Sequence, residues 1–222
     1  MHNPLASEDA AHGAIEPQQS LAGAAAGASA ITSQHLINSK LKPPLCAAAC
    51  IERRSLVARL DAAFRQKLVL VTAPIGSGKT TLLTQWHRRA AATHAIAWLS
   101  LDERDNDPVR FFSYLIGAVH GAAPGFDAYI ASRRAGAALS PIDPGAALFS
   151  ESLDRVGHEL TIVLDDFQWL TAPSLIRTVD FLLYRSPDTV HWIISGRGMP
   201  EIGLSQLRLA DQLLIIDAED LN

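Results

Sequence analysis

The residues best suited to chemistry lie in one short run, Ala73-Pro-Ile-Gly-Ser-Gly-Lys-Thr-Thr81. Gly76 and Gly78 can take backbone conformations that turn consecutive N–H groups inward around a phosphate. Lys79 can reach the β and γ phosphates of a nucleotide, and the Thr80 hydroxyl can bind a magnesium ion. Pro74, Ser77 and Thr81 complete the cradle. Ala73 stands where the strict pattern has glycine, which is tolerable if that residue keeps a negative φ.

Phosphate chemistry of this kind also needs a carboxylate for the metal. Leu160-Thr-Ile-Val-Leu-Asp165-Asp166 places two at the end of an apolar stretch. Asp165 is the expected magnesium ligand, acting through a water because the ion keeps much of its hydration shell. Asp166 is the candidate to orient or deprotonate an attacking water. A third group, Arg197 in Ser195-Gly-Arg197, can contact a γ-phosphate, which a diphosphate lacks.

These groups can meet only if the elements between them bring them to one edge. Lys67-Leu-Val-Leu-Val-Thr72 reads as a buried strand running directly into the loop. After the loop, Leu82, Leu83, Trp86 and Ala90 share one helical face while Gln85, Arg88 and Arg89 point elsewhere. A helix therefore starts at the loop and aims its N-terminal amides at the phosphates. Ala95 to Leu101, Leu160 to Asp165, Val190 to Ser195 and Leu213 to Ile216 give further apolar strands. Helices alternate with them, at Arg53 to Phe64, from Asp107-Pro108 onward, at Gly145 to Val156 and at Ser174 to Tyr184. Continuous apolar strands alternating with helices imply an α/β fold, a P-loop NTPase three-layer sandwich around a mainly parallel sheet of about five strands. Ligands then collect beyond the carboxyl ends of the strands, so the loop and Asp165 are expected to share a crevice.

Composition narrows the rest. With 48% hydrophobic and 19% charged residues the chain is globular in character. Its net charge of −4 offers no general positive field to nucleic acid, so direct DNA binding by this chain is not expected. No apolar run approaches the roughly 20 residues that cross a bilayer, and no leader pattern opens the sequence, so a cytoplasmic protein without membrane contact is expected. Cys46 and Cys50 lack a second metal-ligating pair and are expected as free thiols. Residues 1–35, rich in Ala and Gly with no aromatic side chain, read as a disordered tail, and residues 36–222 as the nucleotide-binding domain. Ala122 to Pro144 reads as a loop or short irregular helix, and Pro43-Pro44 forces an extended path.

Several blocks together resemble one family. They are Ala73 to Leu83 with Trp86, Trp98-Leu-Ser-Leu-Asp-Glu-Arg-Asp-Asn-Asp-Pro-Val-Arg-Phe-Phe-Ser-Tyr-Leu115, Ile162 to Asp166, Ile193 to Arg197, Leu207-Arg-Leu209 and Asp220-Leu221. The whole of 36–222 resembles the nucleotide-binding domain of the MalT-type large ATP-binding regulators of the LuxR family, within the STAND class of signalling NTPases. The resemblance implies binding of ATP or ADP with Mg2+, slow hydrolysis, and self-association in the ATP form. It further implies that Arg53, in the segment Ile51-Glu-Arg53, borders the nucleotide. A winged helix, a sensor arm and a DNA-binding helix-turn-helix follow this domain in the family and are expected to be absent from this sequence. Two competing readings remain, a free-standing P-loop ATPase and a fragment that keeps the fold without binding nucleotide.

Overall fold

The computed structural model describes residues 36–46, 50–124, 126 and 142–221. The tail expected at 1–35, and most of the irregular stretch expected between Ala122 and Pro144, lie outside these residues. Five parallel strands form one sheet: β1 (Leu68–Thr72), β2 (Ala95–Ser100), β3 (Leu160–Asp165), β4 (Val190–Gly196) and β5 (Leu213–Ile216). Their order across the sheet is β2-β3-β4-β1-β5. The register pairs Val71 with Ser195 and Ser100 with Asp165. The chain end of β1 is thus level with the ends of β4 and β3.

Each strand alternates its side chains between two cores, as the pleat requires. Leu68, Leu70, Leu160, Ile162, Leu164, Trp192 and Ile194 face one of them. Helices α3 (Pro108–Ala122), α4 (Ile142–Leu153) and α5 (Pro173–Arg185) cover that face. Val69, Val71, Trp98, Val163 and Ile193 face the other, covered by α1 (Arg54–Arg59) and α2 (Lys79–Ala90). Trp86, Trp98 and Trp192 are fully buried. Burying a large apolar side chain is worth roughly 1.5–3 kcal/mol, so these rings anchor the three layers firmly.

Helix boundaries follow local chemistry. Asp107 caps α3 by accepting the Arg110 N–H, with Pro108 at the first helical position. The helix expected over Arg53 to Phe64 is α-helical only through Arg59 and tightens into a 3-10 turn at Leu60–Phe64. That turn still buries Leu60 and Ala63. A short α6 (Ser205–Leu209) and a 3-10 turn at Asn38–Leu41 have no counterpart in the sequence expectations. In that 3-10 turn the buried Lys40 ammonium pairs with Asp102 at 2.8 Å and with the fully buried Asp105, and lies 4.7 Å from the Tyr114 ring centroid. This ion cluster ties the leading segment to the turn after β2.

Candidate nucleotide site

The loop after β1 has the backbone that its glycines were expected to supply. Gly76 and Gly78 sit at φ 83° and 84°, a region costly for any residue with a Cβ. Ala73 is not among the positive-φ residues, so alanine fits where the strict pattern has glycine. A Cβ built on Gly76 would meet nothing within 4 Å, and Ile75 beside it is 76% exposed. The space beside the Gly76 Cα is thus open. Helix α2 starts at Lys79 without a side-chain cap, and its first backbone bond runs from the Leu82 N–H to the Gly78 carbonyl at 2.8 Å. The amides of Lys79, Thr80 and Thr81 precede that bond and have no partner within the helix. Uncapped amides at a helix start favour an anion.

Lys79 is only 7% exposed and donates to the carbonyls of Ala73 at 2.7 Å and Pro74 at 2.9 Å. Its ammonium is folded onto its own loop. Burial pushes its pKa down, opposed by the nearby charges of Asp166 and Asp165, while Arg197 adds to the lowering. Lys79, both aspartates and Arg197 therefore belong to one electrostatic neighbourhood at the carboxyl edge of the sheet.

Asp165 closes β3 and is 1% exposed. Its Oδ1 accepts from the Thr80 hydroxyl at 3.2 Å and from the Ser195 hydroxyl. Burial raises its pKa, the Ser195 and Thr80 hydrogen bonds pull it back, and the Asp166 charge raises it. Asp166 takes the left-handed conformation at φ 61°, which aspartate tolerates better than most residues. Its N–H donates to Ser195 Oγ at 3.3 Å, and its Oδ1 accepts from Gln168 Nε2 at 2.9 Å. Arg197 is exposed and stacks its guanidinium 5.6 Å from the Trp169 ring centroid.

Arg53 approaches from the other side of the loop. Its guanidinium would lie 3.8 Å from a Cβ on Gly78, and its Nη1 donates to the Leu221 carbonyl at 2.6 Å. Gln85 of α2 holds this segment by both ends of its amide, accepting from the Arg53 N–H at 3.2 Å and donating to the Ile51 carbonyl at 2.8 Å. Ser195, Gln168 and Gln85 were not legible as site residues. Ser195 had one signal, a polar side chain closing an apolar strand just before Arg197.

The donors fit the expected group. Thr80 and Asp165 present hard oxygens, the chemistry Mg2+ prefers, beside an open glycine cradle with a lysine at its rim. Next to this edge a cavity of about 280 Å³ opens between Thr72, Gln168, Ile194, Gly196 and Met199. Among the described residues no cluster of three or more His, Cys, Asp or Glu forms a separate metal centre. No described helix is long and apolar enough to cross a membrane.

Comparison with known proteins gives a family and a relative. The family model described as AAA ATPase domain matches residues 49–194. The HTH-type transcriptional regulator MalT of Cronobacter sakazakii (strain ATCC BAA-894) is 39% identical over 189 residues, covering 84% of this chain. The chain spans only about a fifth (20%) of that relative's length. Among solved structures, a Walker-type ATPase of Pyrococcus abyssi aligns over 80% of this chain and 56% of its own, with 14% identity and a TM-score of 0.44. The Orc1 protein of Aeropyrum pernix in complex with DNA aligns over 76% of this chain and 46% of its own, with 15% identity and a TM-score of 0.48.

Proposed function

The chain belongs to the AAA ATPase domain family and is related to the regulator MalT, and from that premise we propose that it is a nucleotide-operated switch domain of a transcription regulator. It binds ATP or ADP with Mg2+ and hydrolyses ATP slowly. The observation that carries this reading is the meeting of Thr80 with Asp165, 3.2 Å apart, beside a two-glycine loop rimmed by Lys79. In this reading Ala73 and Pro74 frame the loop. The amides of Gly76, Ser77, Gly78, Lys79, Thr80 and Thr81 hold the phosphates, and Arg53 borders the nucleotide. Thr80 and Asp165 would hold Mg2+, which when bound neutralises phosphate charge.

Asp166 is assigned to the attacking water and Arg197 to the γ-phosphate. In the structure Asp166 is engaged by Gln168 and Arg197 by Trp169. Residues 36–222 make up the proposed nucleotide domain, and the negative net charge of −4 supports a chain that does not itself read DNA. Self-association in the ATP form and a cytosolic setting complete the proposal.

Calorimetry with ATP and ADP, with and without Mg2+, tests it. Magnesium-dependent binding of both nucleotides is the expected result, and no binding at all would leave a fragment that keeps only the fold. Phosphate release separates the remaining alternative. Sustained multiple-turnover release without any partner would instead favour a free-standing ATPase.

A further inference from the structure

The 3-10 turn that follows β3, Phe167–Trp169, carries Gln168 at its centre. The turn closes without that side chain, through the Trp169 N–H to the Asp166 carbonyl at 3.1 Å and the Leu170 N–H to the Phe167 carbonyl at 3.0 Å. Phe167 and Leu170, both buried, fasten it to the core. The Gln168 amide reaches back instead and donates from Nε2 to Asp166 Oδ1 at 2.9 Å. Its other end is buried and accepts nothing among the described residues. That Oε1 lies against Gly196, the residue before Arg197, 3.8 Å from where a Cβ would stand.

The amide has no better orientation. Turned over, it would set Oε1 against a carboxylate oxygen, two acceptors face to face. A buried acceptor without a donor costs stability, and a side chain kept for the fold alone would be better apolar at this place. What accompanies the cost is a fixed carboxylate. Asp166 is held by its left-handed backbone, by its own N–H on Ser195 Oγ at 3.3 Å and by Gln168 on Oδ1. Its Oδ2 receives no protein hydrogen bond among the described residues. The charges of Asp166 and Arg197 both act on Lys79, so this carboxylate stands within the edge that gathers the phosphate-binding groups.

We propose that Gln168 is a positioning residue for ATP hydrolysis, which locks Asp166 Oδ1 and so presents Oδ2 to the attacking water. The water oxygen forms a bond to the γ-phosphorus, and the bond from that phosphorus to the β–γ bridging oxygen breaks. The electron pair of the broken bond leaves with ADP, and the water proton passes by way of Oδ2 to the released phosphate. A carboxylate free to turn spends less of its time aimed at the water, so the amide contributes to rate and not to nucleotide affinity. This inference rests on the nucleotide reading above and on the role of Asp166 within it.

The test compares the parent chain, Gln168→Met and Gln168→His by single-turnover phosphate release from ATP with Mg2+, by calorimetry with ADP and by melting curves. Methionine keeps the length of the side chain and removes both the donor and the orphaned acceptor. Release should slow by about tenfold, with ADP affinity within about twofold and a melting temperature equal to or above that of the parent. Histidine keeps a nitrogen donor and should recover most of the rate. Unchanged release by Gln168→Met overturns the proposal, as does a rate for Gln168→His as low as that for Gln168→Met. Release, ADP affinity and melting temperature that fall together in Gln168→Met mark a structural side chain and overturn it as well. A parent chain that binds ATP but releases no phosphate refutes the role of Asp166, and this inference with it, while the switch reading stands. A parent chain that binds no nucleotide refutes both.

Discussion

The Thr80 hydroxyl stands 3.2 Å from Asp165 Oδ1, although 85 residues separate them in the chain. Parallel pairing creates this proximity: β1 and β3 flank β4, and all three strands end at the same edge. A carboxylate so placed is costly to bury and useful to a cation.

Asp165→Asn should leave the free chain at least as stable as the parent while reducing magnesium-dependent ATP affinity by about 10- to 100-fold. The amide oxygen can still accept from Ser195 and Thr80, whereas the buried charge is gone. The pH dependence has a definite sign. The folded pKa of Asp165 is raised above its ordinary 3.8. Its contribution to stability is therefore full below 3.8 and is lost as pH rises through the folded value. Metal binding runs the opposite way and weakens as pH falls through that value, because the proton competes with the cation. Melting curves and calorimetry over an acid-to-neutral series check both, and equal ATP affinity with and without Mg2+ in the parent would defeat the assignment.

Ser195→Ala removes the hydroxyl that donates to Asp165 and receives the Asp166 N–H. One of the interactions holding the Asp165 pKa down disappears. The loss of magnesium-dependent affinity should thus begin at a higher pH than in the parent, with a drop of about threefold to tenfold near neutrality. A uniform drop with an unmoved pH profile would mark Ser195 as merely structural.

Lys79→Ala should abolish most nucleotide affinity, about 100-fold, with an unchanged far-UV spectrum. The ammonium is held by two carbonyls of its own loop, at 2.7 and 2.9 Å, so its removal disturbs that loop alone. Melting within a few degrees of the parent is expected. Binding at parental strength would refute the role of the loop.

Asp166→Asn tests the water-orienting role without backbone strain, since asparagine accepts the left-handed conformation at φ 61° as readily as aspartate. Nucleotide affinity should hold while any phosphate release falls by about 10²-fold or more. Unchanged release would move the assignment elsewhere.

Lys40→Met probes the fold rather than the site. It leaves the fully buried Asp105 with one cation, Arg110, whose Nε lies 3.1 Å away, and with the Asp102 N–H that donates to it at 2.7 Å. A loss of about 3 kcal/mol is expected, read as a drop in melting temperature of roughly 6–12 °C. A shift under a degree would show that Arg110 and the Asp102 N–H satisfy Asp105 without Lys40.

The cradle residues, both aspartates and the strand-helix alternation were legible from residue types and local period. Glycine's freedom, apolar runs and helix-start chemistry act over a few neighbours, and a few neighbours are what a linear reading sees. That is why Gly76, Gly78, the start of α2 and all five strands appear where the residues imply them. The fate of polar side chains was not legible, because it depends on what the fold brings to them from a distance. Only the assembled edge decided that Ser195 serves Asp165, that Gln85 carries Arg53 to Gly78, and that Lys79 turns inward onto Ala73 and Pro74. The same holds for Lys40, a surface residue by type. Burial here is offset by Asp102 and Asp105, acidic partners more than sixty positions away in the chain, at |i−j| of 62 and 65.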